Sequence, residues 1–315
     1  MKHLAKIVLA ALLGLELTSG ASAQPSQSVV PDRYTSNFAT VDGLRLHYVR
    51  GGQGDPLVLL HGFGSTWYEW RKVMPELAER YTVIAPDLPG LGDSEVPAGG
   101  FDKRTTAGSI HGLLQQLGLD QIYLVGHDIG LMVAFAYAAE YPEEVRRLVL
   151  LEAPIPDEAI YSFPALTPAG QGAWQFGFFS IPGLPEGLIE GREKYFLTQF
   201  IRGNAFNQQA FAEADFEEYA RSYRDPAKLH ASMEYFRAFP EDVTQVAQYD
   251  EALLSMPVLA LGAEYSLGGF LLEQAQRYAS NVRGGVVPDS GHWVPEEQPD
   301  YLVKQLLTFF TEDDR

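Results

Sequence analysis

One stretch, Ile122-Tyr-Leu-Val-Gly-His-Asp-Ile-Gly130, constrains this chain more than any other. An apolar run from Ile122 to Val125 breaks off at Gly126-His127-Asp128-Ile129-Gly130, and a run of small, helix-prone residues from Leu131 to Glu140 follows. This order predicts a buried strand, a tight turn and a helix. Glycine on both sides of Asp128 is what a side chain held in a crowded, strained turn requires.

The rest of the chain repeats the pattern. Pro56 to Leu60 is a continuous apolar run that ends in His61-Gly-Phe-Gly64. Tyr81 to Ala85 ends in Pro86-Asp-Leu-Pro-Gly-Leu-Gly-Asp-Ser94, and Arg147 to Leu151 ends in Glu152-Ala-Pro154. Uninterrupted apolar runs suit strands buried on both faces. Trp67 to Arg80 and Arg104 to Leu117 have helical spacing between them. Upstream, Phe38 to Val41 and Leu44 to Val49 flank Asp42-Gly43, a hairpin signal.

The pattern changes after Pro154. Residues 155–190 are rich in Pro, Gly and aromatics, and 191–250 carry aromatics and charges at helical spacing with no strand-like run. This predicts a helical cap over 155–250, inserted after the strand that ends at Glu152. Strand character resumes at Met256 to Gly262. A helix from Phe270 to Ala279, a short strand from Gly285 to Val287, the loop Pro288-Asp-Ser-Gly-His-Trp293 and a last helix from Pro299 to Phe310 follow. The expected fold is α/β: a mostly parallel sheet with helices on both faces, its core formed by residues 24–154 and 251–315.

Composition narrows the classes. With 315 residues, 46% of them hydrophobic, the chain can bury a sizeable core. A formal net charge of −18 argues against nucleic acid or an anionic membrane as partner. The chain has no cysteine, which excludes disulfides, a thiol nucleophile and thiolate metal sites. His47, His111 and His230 show no metal-ligand spacing, so neither metal nor cofactor is expected. Lys2 and Lys6, the apolar stretch Ile7 to Leu17, and Ala21-Ser-Ala23 before Gln24 read as a signal peptide over residues 1–23. Export to the periplasm or beyond, with no membrane contact after cleavage, is the expectation. Gln24 to Ser36 is polar with two prolines and reads as a tether.

Gly126 to Gly130 has the spacing of the G-x-S-x-G nucleophile elbow, with Asp in place of Ser. A carboxylate there would attack carbon and form an ester. His61-Gly-Phe-Gly64 after a strand, this elbow, and Gly291-His-Trp293 near the C-terminus together resemble the α/β-hydrolase fold, over nearly all of the chain past the leader. An Asp nucleophile narrows the resemblance to epoxide hydrolases and dehalogenases, and within them to secreted epoxide hydrolases. The segments that carry it are Gly62-Phe-Gly-Ser-Thr-Trp-Tyr-Glu-Trp70, Thr82-Val-Ile-Ala-Pro-Asp-Leu-Pro-Gly-Leu-Gly92, His127-Asp-Ile-Gly130, Glu152-Ala-Pro-Ile-Pro-Asp157 and Gly291-His-Trp293.

The resemblance implies Asp128 as nucleophile and His292 as general base on a water. The backbone N–H groups of Phe63 and Ile129 are the expected oxyanion donors. Two residues are candidates for the acid that orients His292: Glu152, after the strand that follows the elbow helix, and Glu264, after the next core strand. The resemblance favours Glu152. Asp87, Gly90, Gly92 and Ser94 read as loop-shaping residues, and His61 and His127 as packing or hydrogen-bonding neighbours of the site.

The resemblance also implies a proton donor in the cap, and here the chain departs from it. Gln175, in Trp174-Gln-Phe-Gly-Phe-Phe179, stands where the family carries histidine. Phe236, in Glu234-Tyr-Phe-Arg237, stands where it carries tyrosine, with Tyr235 one residue earlier and about 100° round a helix. Gln175 and Tyr235 are therefore the candidate cap donors; a glutamine offers N–H bonds but is no acid at neutral pH. The expected function is a hydrolase that opens epoxides through an Asp128 ester. Its substrate would be a small apolar organic molecule in a pocket lined by aromatics of 161–206, with water as co-substrate. Two alternatives stand. One is a haloalkane-type dehalogenase whose halide sits on Gln175 and a tryptophan, Trp67 or Trp174. The other is a hydrolase-fold binding protein without turnover. Ile129, where fluoroacetate dehalogenases carry arginine, argues against haloacids, and Ser94 and Ser290 lie outside any elbow, against a serine esterase. A homo-oligomer is left open.

Overall fold

The structure, a computed structural model, describes residues 31–168, 170–249 and 254–312. The expected leader and residues 24–30 of the tether lie outside them.

Eight strands form one sheet: β1 (Tyr34–Val41), β2 (Leu44–Gly52), β3 (Asp55–Leu60), β4 (Tyr81–Pro86), β5 (Ile122–His127), β6 (Val145–Leu151), β7 (Val258–Ala263) and β8 (Val282–Val287). Their spatial order is β1-β2-β4-β3-β5-β6-β7-β8. β2 runs antiparallel to both β1 and β4, and the remaining neighbours are parallel. Asp42 and Gly43, both at positive φ, close the β1–β2 hairpin. β1 begins at Tyr34, which is buried, so residues 34–36 belong to the sheet and not to a tether. Tyr34 marks the change: its ring lies over Gly51, where a Cβ would meet it at 2.1 Å.

The apolar runs are uninterrupted because both faces are covered. Val58, Leu60 and Leu124 face one core with α2 (Lys103–Gln116) and α3 (Ile129–Glu140). Leu57, Leu59 and Val125 face the other, with α1 (Met74–Leu77) and the C-terminal helix Pro299–Thr311. Alternation along each strand assigns neighbouring residues to opposite faces.

Residues 67–80 do not form one helix. Trp67–Lys72 is a 3₁₀ turn capped by the Thr66 side chain, and α1 is a single turn with Pro75 at its start. Proline has no N–H to continue the preceding turn, so the two segments stay separate. The helix expected over 270–279 stops at Ala275, and β8 begins three residues earlier than its apolar pattern does, at Val282. Arg283, Gly284 and Gly285 hide that strand from a hydrophobicity reading.

Between β6 and β7 the chain leaves the sheet for α4 (Trp174–Ser180), α5 (Leu184–Ile189), α6 (Glu193–Asn204), α7 (Glu213–Tyr223), α8 (Pro226–Arg237) and α9 (Phe239–Val246). These helices are bolted to the sheet layer by polar bonds. Buried Lys103 donates to Asp242 Oδ2 and to the Tyr235 carbonyl, each at 2.6 Å. Arg221 grips Asp93 with two bonds of 2.7 and 2.9 Å. The C-terminal elements are α10 (Phe270–Ala275), α11 (Val294–Glu297) and α12 (Pro299–Thr311). No helix among the described residues is long and apolar enough to cross a membrane.

Candidate active site

The C-terminal ends of the parallel strands, where ligands of open α/β sheets bind, carry the candidate residues. Asp128 sits between β5 and α3 at φ +52°. The turn is so tight that a Cβ on Gly126 would lie 2.2 Å from the Gly130 carbonyl oxygen. One on Gly130 would lie 2.2 Å from the Leu60 oxygen. Four non-glycine residues among those described have positive φ, and three of them, Asp128, Glu152 and Asp289, belong to loops at this end of the sheet. Strain of this kind, roughly 1–3 kcal/mol per residue, persists where the surroundings over-determine it.

The Asp128 carboxylate has two distinct oxygens. Oδ2 accepts the Phe63 N–H at 2.8 Å, and Oδ1 lies 3.9 Å from His292 Nε2. Gly62 is needed for this approach, since a Cβ there would lie 2.4 Å from Asp128 Cβ. Ile129 opens α3, where the first N–H groups have no partner inside the helix. The Phe63 ring is fixed by Phe179, Phe200, Tyr223 and Phe236, at centroid distances of 4.6 to 5.9 Å. The next residue, Gly64, donates its N–H to the buried Tyr223 hydroxyl at 2.8 Å. Tyr223 was not identified from sequence: it lies 159 residues downstream in a cap helix, and nothing local marks it.

The two glutamates part company. Glu152 is buried, and its Oε1 lies 3.6 Å from His292 Nδ1 with no other partner among the described residues. Its Oε2 accepts the Ala263 N–H at 2.6 Å, which fixes the carboxylate. Glu264 is exposed and accepts the Asp289 N–H at 3.0 Å. The structure thus brings Asp128, His292 and Glu152 into one line. It leaves Glu264 bracing the loop that leads to His292.

A cavity of about 730 Å³ opens above this line, and Asp128, Glu152, Glu264 and His292 all border it. Most of its wall is apolar, including Phe163, Phe176, Phe200 and Phe236. Gln175 borders it too, and its Oε1 is buried without a partner among the described residues. Trp174 Nε1 and Trp67 Nε1 are likewise unpartnered there, and neither ring borders the cavity. Tyr235, the other candidate cap donor, is placed elsewhere. Its hydroxyl donates to the Pro89 carbonyl at 2.9 Å, and Phe236, not Tyr235, borders the cavity. One residue of helical rotation separates the two, and the apolar ring takes the cavity side.

His61 donates from Nδ1 to the Gly62 carbonyl and accepts the Leu88 N–H at Nε2, a neutral ring that ties two loops together. His127 is fully buried, with Nε2 2.9 Å from the His292 carbonyl and Nδ1 3.3 Å from Glu69. Burial pulls its pKa down, but the Glu69 charge and bond, Asp128 and the His292 carbonyl together carry it up to about 9.

Among the described residues one group, His47, Asp87 and Asp93, has the proximity of metal ligands. Its acceptors are already engaged. Asp87 Oδ2 takes His47 Nδ1 at 2.7 Å and the Asp93 N–H at 2.8 Å, and Oδ1 takes the Trp67 N–H at 2.8 Å. This knot shapes the 86–94 loop.

The profile of the alpha/beta hydrolase fold family matches residues 55–299. The chain is 40% identical to the soluble epoxide hydrolase of Corynebacterium sp. (strain C12) over 294 residues, 88% of this chain and 97% of that protein. It is similar to the crystal structure of Cfl2 from Burkholderia cenocepacia (TM-score 0.83, 40% identity, 88% of this chain and 96% of that one). It is also similar to that of the Cif epoxide hydrolase from Acinetobacter nosocomialis (TM-score 0.85, 30% identity, 89% and 90%).

Proposed function

This chain belongs to the α/β-hydrolase fold family as an epoxide hydrolase-like enzyme, and on that premise we propose that it opens epoxides to diols through an ester on Asp128. The observation that carries the proposal is the division of labour at the Asp128 carboxylate, one oxygen on the Phe63 N–H and the other toward His292.

In the first step Oδ1 attacks an epoxide carbon from the cavity. The Oδ1–C bond forms, the ring C–O bond breaks, and the ring oxygen becomes an alkoxide that a cap N–H, that of Gln175, stabilises. In the second step His292 takes a proton from a water, which adds to Cγ of the ester. The resulting oxyanion at Oδ2 rests on the Phe63 and Ile129 N–H groups, each donor worth roughly 3–4 kcal/mol. Collapse breaks the bond from Cγ to the alkyl oxygen, which takes the proton back from His292. The carboxylic acid left at Asp128 gives its proton to the alkoxide of the first step, so the carboxylate is restored and the diol leaves with both hydroxyls protonated. Glu152 stabilises the imidazolium formed at His292. Water and a small, mainly apolar molecule are the reactants.

The cap gives this site an amide where ring opening would gain from an acid, so a second reading has support. Halide loss needs N–H donors and no proton, and Gln175 supplies the donor. Product analysis separates the two: a panel of terminal epoxides should yield diols, whereas chloride or bromide release from haloalkanes, with epoxides untouched, would replace the proposal with a dehalogenase.

We also propose export with cleavage after Ala23. The intact mass of the protein recovered from periplasm or medium should begin at Gln24; a retained leader would overturn this.

A further inference from the structure

The peptide of His292 is held from two sides. Its N–H donates to the Asn204 carbonyl, at the end of α6, at 2.9 Å. Its own carbonyl accepts the Val294 N–H at 3.1 Å and lies closer, 2.9 Å, to His127 Nε2. The other His127 nitrogen faces Glu69, with Nδ1 3.3 Å from each carboxylate oxygen. Glu69 is itself buried and accepts the Ser65 hydroxyl at 2.5 Å. Trp70 and Trp293 close the remaining sides of the imidazole, with ring centroids 6.4 and 6.0 Å away.

An imidazole with an acceptor at each nitrogen satisfies both only when it carries both protons. Glu69 Oε1 has no other donor among the described residues, which holds a proton on Nδ1, and a ring neutral at Nε2 would turn its lone pair on the His292 carbonyl, so the doubly protonated ring is the form this arrangement selects. The charged and titratable groups that face it are Glu69 from the 3₁₀ turn, Asp128 next in the chain and His292 across from it. The positive charge is matched by Glu69 and is felt by Asp128, the next residue in the chain.

We propose that His127, with Glu69 as its counter-charge, is a positioning residue for the second step. Its Nε2–H holds the His292 carbonyl, and so fixes the His292 ring where it can take a proton from the water that attacks the ester. The inference rests on the ester reading above. The two steps separate its consequences. Ester formation uses the Asp128 carboxylate and does not require His292 as a base, while ester hydrolysis does. Losing the hold on His292 therefore slows the second step selectively, and the ester accumulates.

Rapid-quench mass spectrometry of the whole protein during turnover of racemic styrene oxide reads both steps. His127→Leu should slow ester hydrolysis by about 100-fold, the scale of a misplacement near 1 Å, leave ester formation nearly unchanged and hold most of the enzyme as adduct. His127→Gln places an amide N–H near the Nε2 position and should stay within about tenfold of the parent. His292→Gln is the control and should trap adduct. If His292→Gln traps adduct and His127→Leu does not, or if His127→Leu slows both steps alike, the positioning role is overturned and the ester reading stands. If no protein traps adduct, the ester reading has failed and this inference with it. Should His127→Leu not fold, the parent enzyme decides. Above about pH 9 the neutral ring keeps its proton toward Glu69 and turns a lone pair on the His292 carbonyl. Ester hydrolysis should then fall while ester formation holds. A hydrolysis step flat to pH 10 overturns the proposal.

Discussion

The Phe63 N–H donates to Asp128 Oδ2 at 2.8 Å, so the proposed nucleophile rests with one oxygen already on a proposed oxyanion donor. The two oxygens are inequivalent before substrate arrives. In the proposed mechanism Oδ1, 3.9 Å from His292 Nε2 and beside the cavity, is the attacking atom. Oδ2 is the atom on which the proposed second step develops charge. A site arranged this way needs no reorganisation when the ester is attacked, the condition under which oxyanion donors contribute most.

The orienting acid is expected to be Glu152. Its buried Oε1 faces His292 Nδ1 at 3.6 Å, whereas Glu264 accepts a loop N–H and is exposed. Glu152→Gln should lower turnover by roughly 10³–10⁴-fold, as loss of a buried orienting carboxylate does. Glu264→Gln should cost less than about tenfold on the same scale. Steady-state diol formation by both variants checks the assignment, and equal losses would contradict it.

Gln175 borders the cavity and cannot act as an acid. Gln175→His should raise the rate of ester formation from epoxides by about 10- to 100-fold, within the range of general-acid assistance. The gain should fade as pH rises through the new imidazole's pKa. Single-turnover ester formation against pH reads both effects, and an unchanged rate would mean that residue 175 does not reach the departing oxygen.

Lys103 and Asp242 form a buried pair that joins α2 to the cap helices at 2.6 Å. Burial raises the Asp242 pKa, and its partner Lys103 opposes that rise. Lys103→Met leaves a buried carboxylate unpaired and should cost about 3–5 kcal/mol of stability. Lys103→Met combined with Asp242→Leu should recover most of it. Urea unfolding of the three proteins tests the pair, and a double variant no better than the single one would contradict the account.

Two buried groups set opposite pH limbs. Burial raises the Asp87 pKa, but the His47 bond and charge and the Asp93 N–H overcome it and hold the group at about 2. A depressed carboxylate stabilises the fold above its ordinary pKa near 3.8, and that contribution is lost as pH falls toward about 2. His127, raised from 6.5 to about 9, stabilises fully below 6.5 and loses its contribution as pH rises through about 9. Thermal midpoints across pH should therefore drop at both ends. The acid slope should flatten in Asp87→Asn and the alkaline slope in His127→Gln.

Much of this site was legible in the sequence because its local signals are strong. Glycines that flank Asp128 cannot be replaced where a Cβ would meet backbone at 2.2 Å, and that constraint writes the elbow into the chain. Strands covered on both faces appear as unbroken apolar runs. What was not legible depends on distant chain segments. Tyr223 braces Gly64 from 159 residues away, and Glu69 meets His127 across 58. Tyr235 could be placed only once the rotation of α8 was known. The single turn of α1 was hidden because Trp67, Trp70, Met74 and Leu77 are all buried, so helical spacing was present without a continuous helix.

The central claim is a covalent bond between Asp128 and substrate, and isotope transfer tests it most directly. In a single turnover in H₂¹⁸O, with enzyme in excess of epoxide, the heavy oxygen should appear in the Asp128 carboxylate while the diol leaves unlabelled. Label that enters the diol in that first turnover, with none in the Asp128 peptide, would contradict the account.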